Sequence, residues 1–392
     1  MVYPRKIYPK LLSHAQSSLV TVLTGMRRTG KTTLVKQLLA DIPNKNALYL
    51  DLQRPDNREL FQQKNYDAIY EAFVSRGLSK ETSMAVVLDE IQLAPDSPSA
   101  IKYLSDHRKV KFIVTGSSSY YLKNLFSESL SGRKKTFDLF PLDFGEFLTF
   151  KNLTFTSSDW QEKPFNKLEY DRLSSYYEEY IRFGGFPQVV LAPSEEDKRD
   201  ILSDIMSSYV NIDIRSLADF SDERNLYSLA KLLAGRVGSR VEYSTLSRLI
   251  GLSRTTVTNY ISFFEQTYLI RTIPVFTRSL KQEIVKSRKL YFCDTGLANS
   301  LAELSSGAQF ENTLFNQLSR IGVIQYYALK TGNEIDFILN GNLAIEAKET
   351  PTESDLTTLS RLSTNAGLQN VRLVGRYLTP KFDTCTWGGS IT

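Results

Sequence analysis

Short apolar, β-branched runs alternate with amphipathic stretches over the first part of the chain. Residues 19–24 read Leu-Val-Thr-Val-Leu-Thr, a strand pattern. Over 32–41, Leu34, Val35, Leu38 and Leu39 fall on one side of a helix. Further strands are expected at 47–52, 84–88 and 111–115. The run at 84–88 is almost all Val and Leu, as in a strand covered on both faces. Strands alternating with helices predict a parallel sheet, so an α/β domain over 1–150.

Breakers divide the remainder. Residues 151–168 are Ser/Thr-rich and polar, and 169–217 look helical with breaks at Gly184-Gly185 and Pro187. The segment 151–217 is therefore expected to be a linker and helical lid. In the next segment, 218–290, residues 243–250 form a short amphipathic helix and Gly251 a turn. Ser253 caps a second helix running to about residue 268, with Val257, Tyr260, Ile261 and Phe264 at helical spacing. An extended stretch follows at 269–276. This order of helix, turn, helix and ribbon predicts a winged helix. The last segment, 291–392, holds a helix from 307, a β-hairpin and mixed α/β structure.

Composition narrows the function classes. Of 392 residues, 42% are hydrophobic and 23% charged, which excludes a disordered or fibrous chain. Cys293 and Cys385 stand far apart, so neither a disulfide scaffold nor a cysteine-rich zinc site is expected. With only His14 and His107, an H-E-x-x-H metal site is excluded. No run of 18 apolar residues occurs, and the N-terminus does not read as a signal peptide, so the expectation is a cytoplasmic protein without a membrane partner. The formal charge of +5 is unevenly placed. Between 240 and 289, Arg240, Arg248, Arg254, Arg271, Arg278, Lys281, Lys286, Arg288 and Lys289 face only Glu242, Glu265 and Glu283. That excess suits a DNA partner. Arg254, Thr255, Thr256 and Asn259, at the start of the second helix, are the expected contacts to phosphates and base edges.

Gly25-Met-Arg-Arg-Thr-Gly30-Lys31-Thr32 fits G-x-x-x-x-G-K-[ST] between an expected strand and an expected helix. Gly25, Arg28, Thr29, Gly30, Lys31, Thr32 and Thr33 form the expected phosphate cradle. Its glycines let backbone N–H groups wrap the phosphates at the positive end of the new helix. Lys31 would reach the β- and γ-phosphates, and Thr32 would ligate Mg2+. Val86-Val87-Leu88-Asp89-Glu90 ends a buried strand in two carboxylates. Asp89 is expected to hold Mg2+ and Glu90 to orient the attacking water. The following strand ends Thr115-Gly116-Ser117-Ser118, where Ser117 would sense the γ-phosphate or the water. Arg133, in Ser-Gly-Arg, is expected to act as a finger or sensor, in cis or in trans, and a homo-oligomer stays open as a partner class. The cofactors expected here are ATP and Mg2+.

The ordered set G-M-R-R-T-G-K-T-T-L, L-D-E-I-Q, T-G-S-S, S-G-R and F-P-L-D-F-G-E-F resembles a family of bacterial and archaeal AAA-like ATPases with a C-terminal region of unknown function. Phe-Gly-Gly-Phe-Pro at 183–187 and Lys-Leu-Tyr-Phe-Cys-Asp-Thr-Gly-Leu at 289–297 extend the resemblance over nearly the whole chain. It implies a P-loop ATPase sheet followed by a winged helix, with Lys31, Thr32, Asp89 and Glu90 at the nucleotide.

Residues 333–348 form a hairpin around Asn340-Gly341-Asn342. Ile335, Phe337 and Leu339 are expected on one face of its first strand, with Glu334 and Asp336 on the other. A two-residue loop would oppose Asp336 to Ile345. A three-residue loop opposes Phe337 to Ile345 and Asp336 to Glu346, which keeps apolar residues together. Asp336, Glu346 and Lys348 then converge. This segment resembles the PD-(D/E)xK nuclease fold, with Ile335 where that motif has proline. The resemblance implies a second divalent metal held by Asp336 and Glu346, with Glu311 from the preceding helix and Lys348 beside the phosphate. Three readings follow: a DNA-directed ATPase, an ATP-gated nuclease, or a nucleotide switch whose C-terminal half binds a protein.

Overall fold

The computed structural model describes residues 3–42, 45–117, 130, 132–155, 160–161, 166–214, 223–277, 279, 283, 286–329, 331–377 and 385–392. The chain divides into two compact units, one of 1–140 with Gln266–Tyr268, the other of 141–265 with 269–392. The boundary thus falls ten residues before the expected end of the first domain, and the expected lid and C-terminal segments, with the winged-helix segment apart from Gln266–Tyr268, share the second unit.

In the first unit, helices α1 (Tyr8–Ala15), α2 (Lys31–Asp41), α3 (Pro55–Glu59), α4 (Tyr66–Ser75) and α5 (Ser97–Arg108) accompany five strands. These are β1 (Val20–Thr24), β2 (Ala47–Asp51), β3 (Ala85–Asp89), β4 (Lys111–Gly116) and β5 (Lys134–Asp138). They form one sheet in the order β2-β3-β4-β1-β5, with every pairing parallel. Side chains alternate across it. Val20, Val22, Val86, Leu88, Phe112 and Val114 pack with Ile69 and Phe73 of α4 and Ile101 and Leu104 of α5. Leu23, Ala85, Val87 and Ile113 pack on the other side with Leu11 of α1 and Leu34, Val35 and Leu38 of α2. Helices on both faces explain why β1 and β3 are buried at every position, β3 as a near-continuous apolar run and β1 as apolar residues interleaved with threonine. The edge strand β5, Lys-Lys-Thr-Phe-Asp, buries only Phe137 and carries no such signal.

The second unit opens with α6 (Phe144–Phe150), α7 (Lys167–Phe183), α8 (Pro187–Leu191) and α9 (Glu195–Ser208). Then come α10 (Glu223–Ala234), α11 (Tyr243–Ile250), α12 (Arg254–Gln266) and the antiparallel pair β6 (Ile270–Ile273) and β7 (Lys289–Phe292). Gly251 ends α11 in the left-handed region, and Ser253 Oγ accepts the Thr256 N–H at 3.0 Å to start α12. Helices α13 (Thr295–Leu301) and α14 (Ser306–Ile321) lead to a second sheet. Its strands are β8 (Ile324–Ala328), β9 (Glu334–Leu339), β10 (Leu343–Lys348), β11 (Asn370–Gly375) and β12 (Cys385–Trp387), and α15 (Glu353–Ala366) lies between β10 and β11 in the chain. The sheet runs β12-β11-β10-β9-β8, antiparallel among β8, β9 and β10 and parallel from β10 to β12.

Two motifs of the second unit meet. Gly184 ends α7 at φ 75°, and a Cβ there would lie 2.1 Å from Asp294 Oδ1. Asp294 accepts the Gly185 N–H at 2.8 Å and caps α13 through the Leu297 N–H at 3.0 Å. The glycine pair and the Cys-Asp-Thr-Gly turn therefore serve each other as packing, which accounts for both strings in structural terms. Among the described residues no helix is long and apolar enough to cross a membrane.

Candidate functional site

Parallel strands bring the ends of β1, β3 and β4 to one edge of the first sheet. There Gly25 has φ 151°, and a Cβ would meet the Leu139 carbonyl oxygen at 2.1 Å, so only glycine fits. Gly30 has φ 98° and starts α2. Between them the loop closes on itself. Lys31 Nζ donates to the Gly25 and Met26 carbonyls at 2.8 and 2.9 Å, and Thr29 Oγ1 to the Met26 carbonyl at 2.9 Å. Arg28 is exposed at φ 64°, and Thr33 is exposed on α2. The buried Arg5 braces the loop from outside, donating to the Thr29 carbonyl at 2.9 Å and the Phe140 carbonyl at 2.8 Å.

Asp89 is the hub. Its Oδ2 accepts from Thr32 Oγ1 at 2.7 Å and from the Tyr49 hydroxyl at 2.6 Å, and its Oδ1 accepts from Thr115. Burial, then the hydrogen bond to Asp89, raises the pKa of Tyr49, so its phenol stays a donor. Glu90 follows at φ 61°, a left-handed conformation that a non-glycine residue adopts under constraint. The Glu90 N–H donates to Thr115 Oγ1 at 3.1 Å. Gln92 Nε2 binds the Glu90 carboxylate and Ser117 Oγ, the latter at 3.1 Å. Lys31, Thr32, Asp89, Glu90 and Ser117 thus share one edge. Ser118 lies outside the described residues. Tyr49, Gln92 and Arg5 were given no role from the sequence; Gln92 ends the Leu-Asp-Glu-Ile-Gln string, whereas Arg5 and Tyr49 adjoin no motif.

Arg133 does not join them. It precedes β5, whose first residue, Lys134, pairs with Val20 at the start of β1. The P-loop follows the end of β1, so Arg133 lies at the opposite edge of the same sheet, 3.3 Å from Asp106 through Nε. An arginine at that edge does not reach this chain's own phosphate cradle.

On α12, Arg254, Thr255 and Asn259 are exposed, whereas Thr256 is half-buried and its hydroxyl meets Ser253 Oγ at 2.8 Å. Two of the surrounding cations, Arg240 and Lys289, face carboxylates, and a third, Arg288, is tied to a neutral threonine. Arg240 pairs with Glu334 at 3.2 Å, Arg288 donates to Thr272 Oγ1 at 2.7 Å, and Lys289 is buried among carboxylates. Arg278 and Lys281 lie outside the described residues. Arg240, Arg248, Arg254, Lys286 and Arg288 are exposed and Arg271 is half-buried.

In the C-terminal hairpin Phe337 stands opposite Ile345, the register of the three-residue loop. Asp336 Oδ2 accepts the Ala347 N–H at 3.0 Å, and Glu346 Oε2 accepts the Asp336 N–H at 3.4 Å. Lys348 Nζ donates to Glu346 Oε1 at 2.9 Å. The expected facing of β9 is corrected, however. Gln325 pairs with Ile338 but Tyr327 with Ile335, so β9 carries one extra residue in between. The bulge sends both Ile335 and Ile338 to Leu359 and Leu362 of α15, while the Phe337 ring lies 5.5 Å from Tyr291 and 6.5 Å from Phe315.

The expected metal set of Glu311, Asp336 and Glu346 is also revised. Among the described residues, no three His, Cys, Asp or Glu side chains are grouped to hold a metal ion. The ammonium of Lys289 stands among Glu334, Glu311 and Asp336 at 2.8, 3.6 and 3.6 Å. Burial lowers the pKa of Lys289, but the charges of Asp336, Glu311 and Glu334 outweigh it and raise the value. One ammonium cannot neutralise every neighbour. Burial, then Asp336, pushes Glu311 up to about 7 and Glu346 up to about 8.

The strand order, the glycine loop and the acid-ended strand define the first unit as a P-loop α/β domain. Residues 17–148 match the family model described as an AAA domain, and residues 174–308 match one described as a domain of unknown function. An uncharacterized protein of Methanocaldococcus jannaschii is 26% identical over 371 residues, covering 90% of this chain and 81% of the relative. One from Haemophilus influenzae is 26% identical over 398 residues, covering 96% and 94%. Among solved structures, the ORC2 protein of Aeropyrum pernix in its ADP form aligns at 15% identity with a TM-score of 0.36, over 68% of this chain and 84% of that one.

Proposed function

We propose that the protein is a Mg2+-dependent ATPase that acts on or near DNA. The observation that carries the ATPase reading is the 2.7 Å contact between Thr32 Oγ1 and Asp89 Oδ2. It joins the P-loop to the acid-ended strand, and the pair is the hydroxyl-and-carboxylate set that suits the magnesium of a bound nucleotide. That ion would neutralise charge on the transferred phosphoryl group. The chain's own residues do the rest. Loop N–H groups and the start of α2 receive the phosphates. Lys31 exchanges its carbonyl partners for phosphate oxygens. Glu90, held by Gln92 and Thr115, orients the water for in-line attack, and Ser117 registers the state of the γ-phosphate through Gln92.

DNA contact is assigned to the segment 218–290, read as a winged helix, with Arg254, Thr255 and Asn259 facing outward. The C-terminal sheet, nuclease-like in its order of helix, three antiparallel strands, helix and strand, is read as part of this half, without cleavage. One observation favours the switch reading instead, in which this half binds a protein: Arg240, Arg288 and Lys289 are committed to internal partners.

The test is ATP turnover with and without duplex DNA. Lys31→Ala is expected to lose nucleotide binding. Glu90→Gln should retain binding and lose turnover. Parent-like turnover in Glu90→Gln sinks the role given to Glu90, and turnover indifferent to DNA, with no DNA binding, favours the switch.

A further inference from the structure

Strands β7 and β9 and helix α14 deliver charged groups to one buried point. Side chains two apart on a strand share a face, and on β7 those are Lys289 and Tyr291. Both reach Glu311. The Tyr291 phenol donates to Oε1 at 2.7 Å, and Lys289 Nζ stands 3.6 Å from the same oxygen. From β9, Glu334 Oε1 is 2.8 Å and Asp336 Oδ1 is 3.6 Å from that ammonium. Only 2% of the Lys289 side chain is exposed, a burial lysine tolerates only when paired.

The strand holds the lysine there. Lys289 pairs with Ile273 across β6 and β7 and bridges to Arg240 on its other side. Glu311 is backed against Gly238, where an added Cβ would lie 2.9 Å from its carboxylate oxygens. Spacing then separates two kinds of cation. Magnesium demands oxygens at about 2.0–2.1 Å and calcium at about 2.3–2.6 Å. The nearest carboxylate oxygens stand 2.8 to 3.6 Å from Nζ, the spacing of an ammonium. A second cation in the same space would meet the lysine's charge at close range.

We propose that the Lys289 ammonium is the resident cation of this carboxylate cluster and excludes a divalent metal from it, so that the C-terminal sheet works as a metal-free element. The lysine also ties β7 to α14 and β9, making the cluster a clasp rather than a reaction centre.

Nucleotide-free, full-length protein titrated with Mn2+ and followed by electron paramagnetic resonance tests this. In the parent background, Asp336→Asn should leave Mn2+ binding unchanged. Lys289→Met keeps the stem and removes the charge. It should gain a Mn2+ site at least about tenfold tighter than the parent offers, and adding Asp336→Asn should abolish the gain. Mn2+ should raise the Tm of Lys289→Met and leave that of the double variant unchanged. The proposal is overturned if Asp336→Asn weakens Mn2+ binding by the parent, because metal then sits there with the lysine in place. It is also overturned if a folded Lys289→Met gains no Mn2+. Should Lys289→Met fail to fold, the parent and Asp336→Asn pair decides alone.

Discussion

Tyr49 donates its hydroxyl to Asp89 Oδ2 at 2.6 Å, the same oxygen that receives Thr32. The tyrosine comes from β2 and the aspartate from β3, adjacent strands whose last residues, Asp51 and Asp89, are paired. Tyr49→Phe removes the donor and keeps the ring. Such supporting hydrogen bonds are worth about 10–100-fold in metal affinity or activity. ATP turnover at limiting Mg2+ should fall about tenfold and recover as Mg2+ is raised. A Mg2+-independent loss would place Tyr49 in another role.

Two arginines of the second unit should behave differently. Arg254 is exposed at the start of α12, so Arg254→Ala should weaken DNA binding and lower the salt slope by roughly one. The Arg288 guanidinium serves Thr272 Oγ1 and the Thr272 carbonyl, so Arg288→Ala should lower the Tm and leave the slope alone. Anisotropy titrations over a salt series, with thermal melts beside them, separate the two.

Gly184 cannot take a side chain. An added Cβ would lie 2.1 Å from Asp294 Oδ1, at a φ of 75° that strains any L residue. Gly184→Ala should cost about 3 kcal/mol or more in denaturant unfolding, through backbone strain and loss of the buried Asp294 hydrogen bonds. A cost under about 1 kcal/mol would mean that the helix end re-forms elsewhere.

Stability should fall as pH rises from about 5 to about 8. Burial raises Asp294 to about 6, and burial with the Asp336 charge raises Glu311 to about 7 and Glu346 to about 8. In the unfolded chain these carboxyls lose their protons near pH 4 to 5. Between those values the folded protein holds protons that the unfolded chain has released. Raising the pH then favours unfolding. Melting curves across this range should show the decline, and Glu346→Gln should flatten its upper half.

The strands β1, β3 and β4 were legible because burial on both faces writes itself as short runs dominated by apolar and β-branched residues, and β2 because its run of apolar side chains is bounded by polar ones. The P-loop and Asp89-Glu90 were legible because backbone geometry and charge impose fixed residues at fixed spacing. β5 was not, because an edge strand tolerates Lys-Lys-Thr-Phe-Asp. Lys289 counted as a surface charge for the same reason that Tyr49 went unnoticed: a contact made from a neighbouring strand leaves no local pattern. The bulge in β9 was equally silent. One inserted residue reverses the facing of Ile335 without changing its apolar character.

The first unit includes Gln266–Tyr268, where the Tyr268 hydroxyl meets Asp138 Oδ1 at 2.7 Å and its ring lies 5.6 Å from Phe140. That piece of the P-loop unit is encoded far downstream of the rest. During synthesis the ribosome releases the sheet and the P-loop long before Tyr268 leaves the exit tunnel. The nascent unit therefore waits, incomplete, while α6 to α12 are made, and a gene fragment stopped at residue 140 would encode a domain with a missing part.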